Sequence, residues 1–232
     1  MAVNKSSGIV VCADRWNYSK RRLDALVAEF TGRRLFTVHR IDAGTSGIVV
    51  FTKNSAAHRR LSIAFETRKI HKIYTAVVRG IPNWLETRCD APLVINGDKR
   101  HRTIIDKYRG KKSLTRFRLT ARAGDAAVVE ALPESGRTHQ IRVHLASLGH
   151  PIVCDALYGR DTPLFLSSFK RSWRGNHFDE RPLIARLALH AAKLTLPTRN
   201  AKELTIEAPY PKDMAAVIRQ IEKLSNIPPP CS

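Results

Sequence analysis

No apolar run in this 232-residue chain approaches the roughly 20 residues a membrane-spanning helix needs. The opening MAVNKSSG is not followed by a long apolar stretch of the export type, so the sequence reads as a cytoplasmic protein with no membrane partner. Cysteine is scarce. Cys12, Cys89, Cys154 and Cys231 form no C-x-x-C pair, which argues against a zinc knuckle or a disulfide framework and leaves them as reduced bystanders. A metal-dependent nuclease would want clustered carboxylates or paired histidines, and no such constellation is seen. His139 and His144 lack the spacing and the acidic partner of an H-E-x-x-H site, so they read as structural or RNA-contacting. Neither internal repeats nor a Gly/Ser linker breaks the chain.

The shortage of acid is the most informative. Forty Lys and Arg stand against twenty Asp and Glu, a formal charge of +20. A field of that sign collects phosphate polyanions through counterion release, so nucleic acid is the expected partner. The excess is concentrated in KRHRTIIDKYRGKKSLTRFR, residues 99 to 118, with nine Lys/Arg against Asp106. Lys99, Arg100, Arg102, Lys107, Arg109, Lys111 and Lys112 are therefore candidate phosphate contacts; the competing reading is a solvated strand pair. The stretch 160 to 182 has no clear periodicity and mixes Lys170, Arg171 and Arg174 with Phe169, Trp173 and Phe178. Its aromatics either stack on unpaired bases or pin the loop to the body.

With 43% hydrophobic residues the chain can bury a real core. Apolar spacing predicts a strand over 8 to 12, then a helix capped by Ser19 and carrying Leu23, Leu26, Val27 and Phe30, ended by Thr31 and Gly32. A buried strand follows over 47 to 52, then a helix capped by Asn54 with Ala57, Leu61, Ala64 and Phe65 on one face. Strands at 70 to 80, 114 to 121 and 126 to 132 have short connections that favour antiparallel pairing. A helix at 138 to 148, strands near 185 to 190 and 203 to 208, and an amphipathic helix behind Pro211 complete the order. The expected architecture is a single α+β domain with a mainly antiparallel sheet flanked by helices. A flexible N-terminus (1 to 7), a catalytic domain (8 to 225) and a flexible tail (226 to 232) are expected.

Three stretches stand out: HRIDAGTSG from residue 39, KIYTAVVRG from 72 and ESGRTHQIRVHLASLGHPIVCDALYG from 134. Each is bland alone. An Asp before small residues usually shapes an Asx-turn, a strand Tyr usually packs in a core, and a helical Arg usually faces solvent or phosphate. In this order they resemble the RluA-like family of RNA pseudouridine synthases, and the resemblance continues through RPLIARLALHAAKLTLP and LTIEAPYP. It implies a curved, mixed, mainly antiparallel sheet with a central RNA-binding cleft, acting on ribosomal or transfer RNA as a monomer without metal or cofactor. It also implies roles: Asp42 as the catalytic aspartate, Arg40 helping to displace the uridine, Tyr74 stacking on uracil, Arg142 pairing with the catalytic carboxylate, and Ile141 walling the pocket. Two departures are expected: no N-terminal S4-type domain fits ahead of the catalytic domain, and the family's K-P-x-G segment reads CADRWN after the strand at 8 to 12.

The chemistry suits those residue types. Converting uridine to pseudouridine breaks the N1–C1′ bond and rejoins C5 to C1′ with no redox change. A carboxylate can attack C1′, stabilise positive charge there, or remove a sugar proton. Burial would push Asp42 above its ordinary value of about 3.9, and a guanidinium opposes that shift. Arginine suits the task better than lysine because its planar fork holds a carboxylate at two points. The competing class is a non-catalytic RNA-binding or ribosome-associated protein, which would tolerate loss of Asp42.

Overall fold

The computed structural model describes residues 1 to 13, 21 to 170, 172 to 198 and 202 to 227. The expected cap Ser19, most of CADRWN, Arg171 and the end of the tail lie outside the described residues. In chain order the first elements are β1 (Ala2–Lys5), α1 (Leu23–Thr31), β2 (Phe36–Thr37), β3 (Ser46–Thr52), α2 (Ser55–Glu66) and β4 (His71–Arg79). Then come β5 (Glu86–Cys89), β6 (Leu93–Val94), β7 (Ile104–Ile105), β8 (Thr115–Ala123), β9 (Ala126–Pro133) and α3 (Gln140–Ser147). The last are β10 (Leu189–Pro197), β11 (Glu203–Glu207) and α4 (Lys212–Leu224). The chain divides into two compact units, Met1–Ile73 with His190–Pro209 and Tyr74–Leu189 with Tyr210–Ser232.

The first unit is built on β3. Every residue of SGIVVFT is buried, the pattern of a strand covered on both faces. It pairs antiparallel with β1, where Ala2 faces Val50, and with β2, where Phe36 faces Thr52. It pairs parallel with β10 through His190 and Ala191, and β10 runs antiparallel to β11. The sheet is therefore mixed. Gly47 is required here, since a Cβ would lie 2.3 Å from the Ala191 carbonyl oxygen. α2 starts as its sequence predicts, with the Asn54 side chain accepting the Ala57 N–H. Its Ala64, with Leu61 and Phe65, closes over Ile48, Val50, Leu194 and Leu196.

The second unit is antiparallel: β4 pairs with β9, β9 with β8, and β8 with β5, while β6 and β7 form a small ribbon. Short connections between β8 and β9 impose that direction. α4 lies against β8 and β9 and buries Met214, Val217, Ile218 and Ile221. That i, i+3, i+4, i+7 stripe is worth about 1.5–3 kcal/mol per large side chain. The core joins them to Val77, Phe117, Val129, Leu145 and Ile152.

Three expectations shift. Residues Ala2–Lys5, expected as a flexible N-terminus, form a strand because all four pair antiparallel with the buried β3. The strand expected over 8 to 12 is reduced to a single bridge between Val10 and Arg22, since Gly8 at φ 88° turns the chain there. The strand expected near 185 to 190 runs instead over Leu189–Pro197, where His190 and Ala191 pair with β3 and KLTLP supplies the pairing for β11.

Candidate active site

Asp42 sits in a turn that leads into β3, closed by Thr45 N–H donating to the Asp42 carbonyl at 3.1 Å. Ile41 is buried beneath it, Asp42 is half-buried and Arg40 is exposed. The turn is gripped from below by Lys5, which is 1% exposed. Its ammonium donates to the carbonyls of Ile9 (2.7 Å), Ala43 (3.0 Å) and Ser6 (3.0 Å). Gly8 N–H also donates to Ala43, at 2.8 Å, and the Ser7 hydroxyl donates to Gly44 at 2.7 Å. Sequence reasoning missed this clamp. The signal was present, because Lys5-Ser6-Ser7-Gly8 keeps the K-x-x-G of the family pattern with serine for proline, directly after β1. The segment that answers to K-P-x-G is therefore KSSG after β1 and not CADRWN, because residues 8 to 12 form only a single bridge.

His39 fixes the other side of the loop. Its Nε2 accepts the Val50 N–H at 2.9 Å and its ring stacks on Phe65 with centroids 4.7 Å apart. Burial first, and then the Lys72 charge, hold it down to about 4. The imidazole is therefore neutral at pH 7, as an acceptor at Nε2 requires.

In the second unit Tyr74 is half-buried on β4, opposite Ala131 of β9, and packs on the core. Ile141 and Arg142 are buried on α3. That helix is anchored by polar side chains. Gln140 accepts from the Ser135 hydroxyl (2.7 Å) and donates to Leu114 (3.0 Å) and Thr115 (2.9 Å). His144, wholly buried, bonds Thr115 Oγ1 and the Ala91 carbonyl, each at 3.0 Å, and burial lowers its pKa. It is a structural histidine.

Arg142 is committed to a carboxylate that sequence reasoning did not single out. Its Nε and Nη2 donate to Asp155 Oδ2 and Oδ1 at 2.8 and 2.7 Å, with Asp155 fully buried. The guanidinium lies 5.1 Å from the Tyr158 ring centroid. Pairing a buried cation with a buried anion, and adding Leu157 and Tyr158 N–H bonds to Asp155 Oδ1, removes most of the penalty of burying either. Asp155 and Tyr158 both lie inside CDALYG, residues 154 to 159.

The basic run divides into two kinds of cation. Arg102 pairs with Asp98 and Arg109 with Asp106, both at 2.7 Å, while Arg116 and Arg118 meet Glu134 and Glu130. Lys99, Arg100, Lys107, Lys111 and Lys112 are exposed. In the 160 to 182 stretch the aromatics also split. Phe169 is buried and pins the loop, Trp173 is half-buried against His177, and Phe178 is 98% exposed. Lys170 is half-buried and Arg174 exposed. Tyr108, in the basic run, is equally exposed.

Among the described residues no group of three His, Cys, Asp or Glu could hold a metal ion, and no helix is long and apolar enough to cross a membrane.

A family model described as RNA pseudouridylate synthase matches residues 1 to 147. The chain is 33% identical over 232 residues to the ribosomal large subunit pseudouridine synthase D of Zymomonas mobilis, covering 95% of this chain and 69% of that protein. It is 40% identical over 121 residues to the dual-specificity RNA pseudouridine synthase RluA of Vibrio cholerae, 52% of this chain and 49% of that one. Among solved structures it is similar to human RNA pseudouridylate synthase domain containing 1, with a TM-score of 0.70, 25% identity and coverage of 99% and 92%. A gripped aspartate turn, a buried arginine on a short helix and these matches converge: the chain belongs to the RluA-like family of RNA pseudouridine synthases.

Proposed function

We propose that this synthase isomerises uridine in ribosomal RNA, with transfer RNA as the alternative substrate, and that Asp42, Tyr74 and Arg142 carry the reaction. The observation that carries the assignment is the buried, two-point ion pair that fixes Arg142 with a side-chain exposure of 9%. Asp155 holds the guanidinium through Nε and Nη2. In this reading Asp42 acts at the ribose, Arg142 favours its anionic form, and Tyr74 and Ile141 form the slot for the uracil. Arg40, exposed beside Asp42, offsets the few kcal/mol needed to unstack the nucleotide.

The exposed Lys99, Arg100, Lys107, Lys111 and Lys112, with Lys170 and Arg174, would draw in the phosphate backbone. Arg102 and Arg109, already paired, would shape the turns that present them. Trp173 supplies a surface for an unpaired base. The ribosomal preference is supported by the likeness to a large-subunit synthase along 95% of the chain. The reaction needs no electron carrier, and the enzyme would act as a cytoplasmic monomer without metal, through a catalytic domain spanning 8 to 225 with β1 joined to it.

RNA tritiated at uridine C5 should release tritium on incubation with the protein, without added metal or nucleotide. Asp42→Ala should abolish release while RNA binding stays within about twofold, and equal release by that variant would sink the assignment. A pseudouridine map of total RNA with and without the gene then identifies the substrate: loss of a ribosomal position supports the first choice, and loss of a transfer-RNA position replaces it.

A further inference from the structure

The segment Asp155 to Tyr158 is bonded on both sides. Toward α3, Asp155 holds the Arg142 guanidinium, and the Tyr158 ring lies beneath it. Toward the basic hairpin, residues 93 to 112, the Leu157 carbonyl accepts from Arg102 Nη1 at 3.0 Å and the Tyr158 hydroxyl oxygen accepts the Thr103 N–H at 2.9 Å. The same hydroxyl shares a second hydrogen bond with His139 Nδ1, 2.9 Å away. Burial pushes the phenol above its ordinary value, so its proton is retained at neutral pH.

His139 caps α3 in the left-handed region at φ 56°. That conformation is uncommon for a non-glycine residue, and contacts that hold the ring help to keep it. The hydroxyl of Tyr158 is one of those contacts, three residues ahead of Arg142. One oxygen thus joins the hairpin backbone to the head of the helix that carries the arginine, while the ring supports the arginine itself.

We propose that Tyr158 is a positioning residue through which RNA docking on the basic hairpin aligns Arg142 for the reaction. Phosphates drawn to Lys99, Arg100, Lys107, Lys111 and Lys112 load the hairpin. The load reaches Arg142 through Thr103 and Arg102, the two hydrogen-bonded ties to the 155 to 158 segment. Alignment of this kind matters because a misplacement of about 1 Å can cost on the order of 100-fold in rate. The inference rests on Arg142 serving the reaction as proposed above.

Tyr158→Phe keeps the ring and its packing and removes only the hydroxyl. At saturating RNA its kcat should fall about 10- to 100-fold, with the dissociation constant for RNA within about twofold of the parent. A kcat equal to the parent's, or a loss of affinity with kcat unchanged, overturns the proposal. Replacing Lys111 and Lys112 by Ala should lower kcat in the parent but not further in Tyr158→Phe; the same fall in both backgrounds overturns the coupling. Should Tyr158→Phe not fold, Arg102→Met cuts the second tie, and its kcat at saturating RNA decides by the same criterion. Failure of the parent to release tritium at all would sink the functional reading instead, so the two failures are distinguishable.

Discussion

The two units hold the side chains proposed to carry the reaction by opposite means. In the first, the Asp42 turn is shaped through the main chain: a buried ammonium collects carbonyls from Ser6, Ile9 and Ala43, and Ser7 and Gly8 add two more bonds to the turn. In the second, Arg142 is held by its own side chain, through a two-point ion pair to Asp155 on a helix anchored by Gln140 and His144. A turn has little side-chain packing to fix it, so its carbonyls must be satisfied individually. A long, charged side chain is fixed best by a planar partner that matches its fork. The lesson is that the acid is placed by backbone and the guanidinium by its own side chain, so they should fail differently.

The sharpest break of that contrast is Lys5→Met, which keeps the stem and removes the charge. Three carbonyls lose their donor at about 1–3 kcal/mol each, offset by the relief of a buried cation, for a net loss of about 3 kcal/mol. Urea denaturation measures it, and a loss under about 0.5 kcal/mol, usual for an exposed lysine, would contradict the clamp.

Arg142→Lys should leave folding nearly intact but lower kcat about 100-fold, because an ammonium cannot span both oxygens of Asp155 while facing a second anion. Single-turnover tritium release reads this, and a rate within threefold of the parent would show that the fork geometry is dispensable.

A smaller effect tests the first unit through pH. His39 is held to about 4 in the fold, below the 6.5 of an unconstrained imidazole, so the unfolded chain takes up a proton that the native state refuses. This contribution is present above pH 6.5 and lost as pH falls, by about 1 kcal/mol at pH 5.5 and roughly 3 kcal/mol near pH 4. His39→Gln can keep an acceptor for the Val50 N–H but does not titrate. The difference in unfolding free energy between parent and variant should therefore shrink toward low pH, and a difference independent of pH would show that His39 does not hold Val50 as a neutral acceptor.

Much of the fold could be read along the chain. The Asn54 cap, the Gly32 stop, the buried run of β3 and the α4 stripe are local signals, each set by spacing or capping within a few residues. What escaped was non-local. Lys5 looks like one more cation in a basic chain, and only its position under Ala43, 38 residues later, makes it a clamp. Asp155 looks like a turn residue, and it becomes the partner of Arg142 only when the fold brings together two residues 13 positions apart. The basic run reads as uniform, yet Arg102 and Arg109 are paired locally, and the exposed lysines are not distinguishable from them by composition.

The sequence by itself determined the family, the reaction class and the sign of the field that attracts RNA, because motifs and net charge survive in one dimension. The tertiary structure decided how the groups proposed to react are held: that β1 carries a lysine into the Asp42 turn, that Arg142 is paired with Asp155, and that Tyr158 ties it to the hairpin. The physical reason is that a hydrogen bond or ion pair depends on a few tenths of an ångström between atoms far apart in the chain, and periodicity, which reports only which face a residue takes, contains no such distance.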